Sequence, residues 1–215
     1  DYHFSSIEQG QATPEDLVTA SPELQSDAAR STALNVLKQY HADAERMPLT
    51  DIGEALSGGF DPAKLASVFD SDLPQVLRRL AALPENVLGQ PSGLVICDAS
   101  GAVLFRKPIA GFALPRFGAS CPLWPLYAAL ARPQVPVRRQ VVQHGRNAAV
   151  FECLAIAWPL TLAEFDRDPV YRTMMLILPL AEAPAVPLAV GSSCRVCSAK
   201  DCVARREPSI LDEEF

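Results

Sequence analysis

The residues best suited to chemistry are cysteines close to the C-terminal end. The run GSSCRVCSAKDCVARREP sets Cys194, Cys197 and Cys202 in a C-x2-C-x4-C pattern. A C-x-x-C loop lets two thiolates grip one metal ion without straining the backbone, and a third thiolate a short turn later can join them. A closed structural zinc site takes four ligands. Cys121, in a loop stiffened by Pro122, is the candidate for the fourth. His144 is a secondary candidate, since Gln143-His144-Gly145-Arg146 reads as a turn. Arg195 and Arg205 stand where they can offset the charge of gathered thiolates. Zinc is the expected metal, with an iron–sulfur cluster on the same cysteines as the alternative, because spacing alone does not separate the two. Four reduced thiols, or a Cys194–Cys197 disulfide, are the readings without a metal. Cys97 and Cys153 lie inside apolar runs, LVICD and FECLAIAW, and read as buried small hydrophobes.

Other chemistry finds no support in the sequence. The only histidines are His3, His41 and His144, and there is no H-E-x-x-H, G-x-S-x-G, phosphate-binding loop or dinucleotide fingerprint. Carboxylates such as Asp98 and Glu152 are not visibly paired, so no enzyme is expected. The net charge of -6 gives no general attraction for a phosphate backbone, so any DNA reading belongs to an upstream domain. The chain starts at Asp1 without Met, and such a domain is expected before it. No run approaches the roughly 18 apolar residues of a membrane span, and no secretion signal is visible. A cytoplasmic, reducing location is expected, where metal binding competes well with disulfides.

The elements that must position these cysteines follow from the apolar pattern. Hydrophobic residues make up 49% of the 215 positions, enough for a real core. Residues 1 to about 13 read as a loose tail. A helix is expected from Pro22 to Met47, opened by Ser21-Pro22-Glu23, with Leu34, Leu37 and His41 on one face. Residues 61–83 read as two short helices. Asp61 caps the first, Ser71 or Asp72 the second, and Pro74 sits in the second's first turn. Only Arg78 and Arg79 are basic on that second helix, so the pair reads as packing helices and not as a DNA reader. Residues 93–108 read as strand, tight turn at Asp98–Gly101, and strand. A short helix at 121–131 and strands at 135–142, 149–160 and 172–180 follow. The Pro-rich stretch 178–191 leads to the cysteines. The expected fold is α+β: N-terminal helices, a mostly antiparallel sheet with helices on one face, similar by analogy to GAF and PAS sensors, and a Cys-rich tail. The expected divisions are a helical segment at 1–87, a ligand-sensing domain at 88–190, and the tail at 191–215 packed on that domain.

Two strings carry a resemblance. Residues 101–124, GAVLFRKPIAGFALPRFGASCPLW, place Gly101, Arg106, Lys107, Gly111, Phe112, Arg116, Phe117, Gly118, Cys121, Pro122 and Trp124 in the order of a motif of the short-chain fatty acyl-CoA regulators. The tail resembles that family's ending on Cys194, Arg195, Cys197, Asp201, Cys202, Arg205 and Pro208. The resemblance spans roughly residues 60 to 210. It implies a C-terminal sensor domain of transcription regulators that carry an N-terminal XRE-type helix-turn-helix and respond to short acyl-CoA esters. Like most regulators of symmetric DNA sites, the protein is expected to work as a homodimer. One departure is Pro125, where the family usually has Asn.

An acyl-CoA needs cations for its phosphates and an apolar slot for its acyl chain. The candidates for the first are Arg106, Lys107, Arg116, Arg138 and Arg139. Those for the second are Phe112, Phe117, Trp124 and Phe151, with Trp124 favoured because it lies beside Cys121. An ordinary core is the competing reading for the aromatics, and exposed sheet-edge positions for the arginines.

Overall fold

A computed structural model describes residues 2–115, 118–144, 149–162, 164–182 and 185–211. The chain divides into two compact units, Asp1–Gly89 and Gln90–Phe215.

The first unit is helical: α1 (Ser5–Glu8), α2 (Pro14–Thr19), α3 (Asp27–Arg46), α4 (Leu49–Ser57), α5 (Pro62–Val68), α6 (Leu73–Ala82) and α7 (Glu85–Leu88). Local chemistry explains the boundaries. Asp61 caps α5 by accepting from the backbone N–H groups of Ala63 and Lys64. Asp72 and Gln75 form a reciprocal capping box at the start of α6, with Pro74 in its first turn. The long helix α3 begins later than its sequence suggests. Ser26 is its cap, with its hydroxyl accepting from Ala29 N–H, while Pro22 and Glu23 form a turn. Its inward side carries Leu37, Tyr40 and Ala44, while His41 is half-buried.

Residues 2–13 are not a loose tail. Ile7 of α1 is buried with Val18, Leu37, Tyr40 and Ala44 in one cluster. The Glu8 carboxylate is clamped by the Arg79 guanidinium, whose Nη2–H donates to Oε2 at 2.9 Å and whose Nη1 donates to Oε1. Arg79 Nε–H also donates to the Met47 carbonyl at 2.9 Å. Tyr40 donates its hydroxyl to Glu8 at 2.5 Å. Arg78 makes a two-point pair with Asp43, at 2.8 and 2.9 Å. Both basic residues of α6 are therefore committed to internal carboxylates.

The second unit is a six-stranded sheet with one helix. Its strands are β1 (Gly93–Asp98), β2 (Val103–Lys107), β3 (Val137–Gln143), β4 (Val150–Pro159), β5 (Tyr171–Pro179) and β6 (Leu188–Val190), and α8 (Pro125–Leu130) lies between β2 and β3 in sequence. The spatial order is β2-β1-β5-β4-β3-β6. Every pair is antiparallel except β3 with β6, which is parallel. The β1–β2 turn places Gly101 at φ +85, a left-handed conformation that favours glycine. Asp98 closes that turn by accepting from the backbone of Ser100 and Ala102. The strand β6 lies in the stretch that the sequence reads only as a Pro-rich connection. Three residues flanked by Pro187 and Gly191 give too short a pattern to read. They gain strand form by pairing along β3, Val141 with Leu188 and Gln143 with Val190.

One face of this sheet packs on α8. Val95, Cys97, Val137, Val141, Phe151, Cys153, Ala155, Ala157, Met175 and Ile177 alternate inward with the period of two expected of strands, and meet Leu126 and Ala129 of the helix. Cys97 and Cys153 lie fully buried in this layer. The cysteine-bearing segment, including a single 3-10 turn at Cys194–Val196, follows β6 and is part of the same compact unit.

Candidate functional site

Cys121, Cys194, Cys197 and Cys202 line one small open cleft, together with Pro122, Leu123, His144, Gly191 and Arg205 among others. Cys121 reaches it from the loop before α8, His144 from the end of β3, and the other three cysteines from the segment after β6. All six cysteines are free thiols.

The cleft is held together through Gly191. Its N–H donates to Cys121 Sγ at 3.3 Å. Its carbonyl accepts from the Trp124 indole N–H at 2.7 Å. A Cβ at position 191 would stand 2.9 Å from Cys197 Sγ and 3.2 Å from its Cβ, so only glycine permits this approach. Cys121 N–H donates to the Ser192 carbonyl at 2.9 Å, which pins the two segments a second time. Arg205 ties down the tail: its guanidinium donates to the carbonyls of Cys194 and Cys197, each at 3.3 Å, and of Ala199. Arg206 donates to the Ser120 carbonyl. Ile210 N–H donates to the Arg195 carbonyl at 2.9 Å.

Burial raises the Cys121 thiol pKa above its ordinary value, while the Gly191 and Leu123 N–H groups stabilise its thiolate and act against that rise. The nearby Cys197 and Cys194 raise it further. The donor chemistry, thiols facing one cleft with N–H donors and a guanidinium beside them, suits a thiolate-bound cation. The arrangement is more open than a finished metal site. Among the described residues, no three His, Cys, Asp or Glu side chains stand close enough together to hold a metal ion.

The candidate ligand-binding residues divide. Phe112, Trp124 and Phe151 are buried, and the Phe112 ring centroid lies 5.3 Å from each of the other two. They form the core beneath the cleft. Arg116 and Phe117 lie outside the described residues. The four remaining cations do not share a face. Arg106 pairs in register with Val95, and Arg139 with Cys153, which puts both on the α8 side. Lys107 pairs with Leu94, and Arg138 with Leu154, on the opposite side. Consecutive strand residues point to opposite faces, so neither basic dipeptide can present both charges to one anion on one face. Arg138 engages Glu152 in a two-point pair at 2.9 and 2.7 Å. Lys107 Nζ donates to Ser92 Oγ at 3.0 Å.

Two residues central to this geometry, Gly191 and Gln143, were not site candidates in the sequence. Glycine at the end of an apolar strand is a weak sign of close backbone approach. A glutamine in the inward series Val137, Val141, Gln143 is a weak sign of a buried polar contact.

The family model for the C-terminal part of the short-chain fatty acyl coenzyme A regulators matches residues 85–214, more than half of the chain. The chain belongs to this family. Relatives of the regulator domain include the HTH-type transcriptional regulators PrpR and RamB of Mycobacterium tuberculosis. PrpR is 26% identical over 210 residues, covering 89% of this chain and 42% of its own length. RamB is 24% identical over 213 residues, covering 91% and 44%. The chain thus spans less than half the length of the curated relatives it matches. A solved Mycobacterium tuberculosis transcriptional regulator superposes with a TM-score of 0.78 at 22% identity, covering 98% of this chain and 68% of that one, which establishes a shared fold. The family and these relatives are transcription regulators, not enzymes. No helix among the described residues is long and apolar enough to cross a membrane.

Proposed function

We propose that this chain is the ligand-sensing part of a transcription regulator, that its second unit binds a short acyl-CoA ester or a related metabolite, and that the four cysteines hold a metal. Zinc is the expected occupant, and an iron–sulfur cluster is the alternative. The observation that carries the metal reading is the meeting of Cys121, from the loop before α8, with Cys194, Cys197 and Cys202 around one cleft. No disulfide joins them, so their thiols remain available as ligands. Cys121, Cys194, Cys197 and Cys202 would be the ligands, with His144 available at the rim. A thiolate-bound zinc would be structural, holding the tail against the sheet.

The family supports the acyl-CoA reading. Arg106 and Arg139, both on the α8 side, are the cations best placed to meet its phosphates. The antiparallel sheet with a helix on one face supports the analogy with GAF and PAS sensors. DNA binding would belong to a helix-turn-helix elsewhere in the parent protein, in keeping with the names of the relatives. The parent would work as a cytoplasmic homodimer, the usual partner of a two-fold symmetric operator.

Metal analysis with a visible spectrum, on protein purified without oxygen, tests the first part. About one zinc per chain and no colour supports a structural site. Iron with sulfide and a brown colour makes the cluster the sensor, and neither metal removes the reading. Calorimetry with a panel of short acyl-CoA esters tests the second part, and no binding by any ester removes it.

A further inference from the structure

The side chain of Gln143 is 4% exposed, at the end of β3 and on the inward face. Its amide is used on both sides. Oε1 accepts from Ala113 N–H at 2.5 Å, and Nε2 donates back to the Ala113 carbonyl at 3.1 Å. Nε2 also donates to the Gly191 carbonyl at 3.4 Å. Gln143 thus imitates a neighbouring strand for one residue of the loop after β2, and holds the residue that wedges between Cys121 and Cys197. An apolar side chain would fill the same space, but would leave Ala113 with an unpaired N–H and carbonyl. A glutamate would keep the acceptor and lose both donations.

The two segments joined in this way have different roles in the proposed function. Gly191 belongs to the cysteine cleft. Ala113 follows Phe112, whose ring packs on Trp124 and Phe151, and belongs to the loop bearing the family's central motif. We infer that Gln143 is a coupling residue, through which closure of the cysteine cleft on a metal ion orders residues 109–115 of the ligand-side loop. This rests on the proposal that the cleft takes a metal. A Cβ built at Gly191 would stand 2.9 Å from Cys197 Sγ, so the Gly191 backbone and the Cys197 thiol are close neighbours with no side chain between them. A shift of Cys197 or Cys121 toward a shared cation therefore moves the Gly191 peptide. The Gly191 carbonyl then carries Gln143 with it, and Gln143 carries Ala113. The coupling is reciprocal by linkage: ligand that orders the loop tightens the cleft.

The test is hydrogen exchange with and without zinc ion, using the full 215-residue chain prepared metal-free under reducing conditions. In the wild type, zinc slows exchange over 190–202 and also over 109–115, the latter by about tenfold, within the usual range of coupling between sites. In Gln143→Met, which keeps the bulk and removes the hydrogen bonds, the zinc effect over 190–202 persists and that over 109–115 is lost. Protection of 190–202 without any change over 109–115 in the wild type overturns the coupling and leaves the metal reading standing. Equal protection of 109–115 in Gln143→Met also overturns it, since another route would then connect the segments. Absence of zinc-dependent protection in both segments overturns the zinc reading and the coupling together. The wild-type comparison alone suffices to overturn the coupling if the variant fails to fold.

Discussion

Arg79, 1% exposed, is bound at two points by the carboxylate of Glu8, 71 positions earlier in the chain. This pair is what turns the first residues of the chain from a tail into a packed element. Breaking one side of a buried ion pair costs about 3–5 kcal/mol, because the remaining charge is left uncompensated. Glu8→Gln is expected to destabilise the chain by an amount of that order, measured by urea unfolding followed by circular dichroism. Asp43→Asn is expected to cost less. Burial raises the Asp43 carboxyl pKa despite its Arg78 partner, so its charged form is held at a disadvantage.

The same pair predicts a pH dependence. Burial pushes the Glu8 carboxyl up, but hydrogen bonds from Arg79 and Tyr40 and the charge of Arg79 outweigh it, and the net pKa lies below the usual 4.5. Folding therefore favours the carboxylate. The stabilisation is fully present above pH 4.5 and is lost as pH falls through the lowered folded value. The stability gap between wild type and Glu8→Gln is expected to narrow over that acid range. A gap that stays constant with pH would show that Glu8 acts through packing alone.

Gly191→Ala tests the close approach at the cysteine cleft. The added methyl would stand 2.9 Å from Cys197 Sγ, inside van der Waals contact. Overpacking of this kind costs about 1–3 kcal/mol, taken up here by displacing Cys197. Zinc competition with a chromophoric chelator is expected to show affinity reduced by about tenfold or more, since one of the proposed ligands is moved. Unchanged affinity would remove Cys197 from the ligand set.

The alternation of the strands separates the basic residues by sheet face. Arg106 and Arg139 share the α8 side, on strands four spacings and so roughly 19 Å apart. If an acyl-CoA lies on that side, alanine at either position is expected to weaken its binding by about tenfold, the worth of one charge-assisted hydrogen bond. Arg138→Ala is expected to leave binding unchanged. It removes an exposed pair with Glu152, which contributes at most about 1 kcal/mol to stability. Calorimetry on the three variants checks this, and an equal loss at Arg138 would place the ligand on the other side.

The six thiols should differ in reactivity. Burial and the neighbouring Asp98 charge push the Cys97 thiol up to about 12, and burial with Glu152 raises Cys153 still further. Neither forms an accessible thiolate at neutral pH. Cys202 is the partly exposed member of the set. Iodoacetamide treatment of the metal-free folded chain, read by peptide mass spectrometry, is expected to label Cys202 first and to spare Cys97 and Cys153. Zinc is expected to protect Cys202, and early labelling of Cys153 would contradict its place in the core.

Much was determined by the sequence alone, wherever the signal is local. The caps at Asp61 and Asp72, the Asp98–Gly101 turn and the strands β1, β3 and β4 follow from neighbouring residue types. The α+β class and the C-x2-C-x4-C pattern could be read in the same way. Tertiary structure decided what depends on partners distant in the chain. Glu8 meets Arg79 and so orders residues that look like a tail. Three residues after Pro187 became β6 only because β3 offered hydrogen bonds. Cys121 faces the other cysteines because its own N–H and the Gly191 and Ser192 backbone lock together. The candidate cations Arg106 and Lys107, and likewise Arg138 and Arg139, were split across two faces by the strand pleat. Local patterns fix backbone conformation within a few residues, whereas long-range contacts are chosen by the packing of the whole chain. A cleft built from β3, β6, the loop before α8 and the tail is of the second kind.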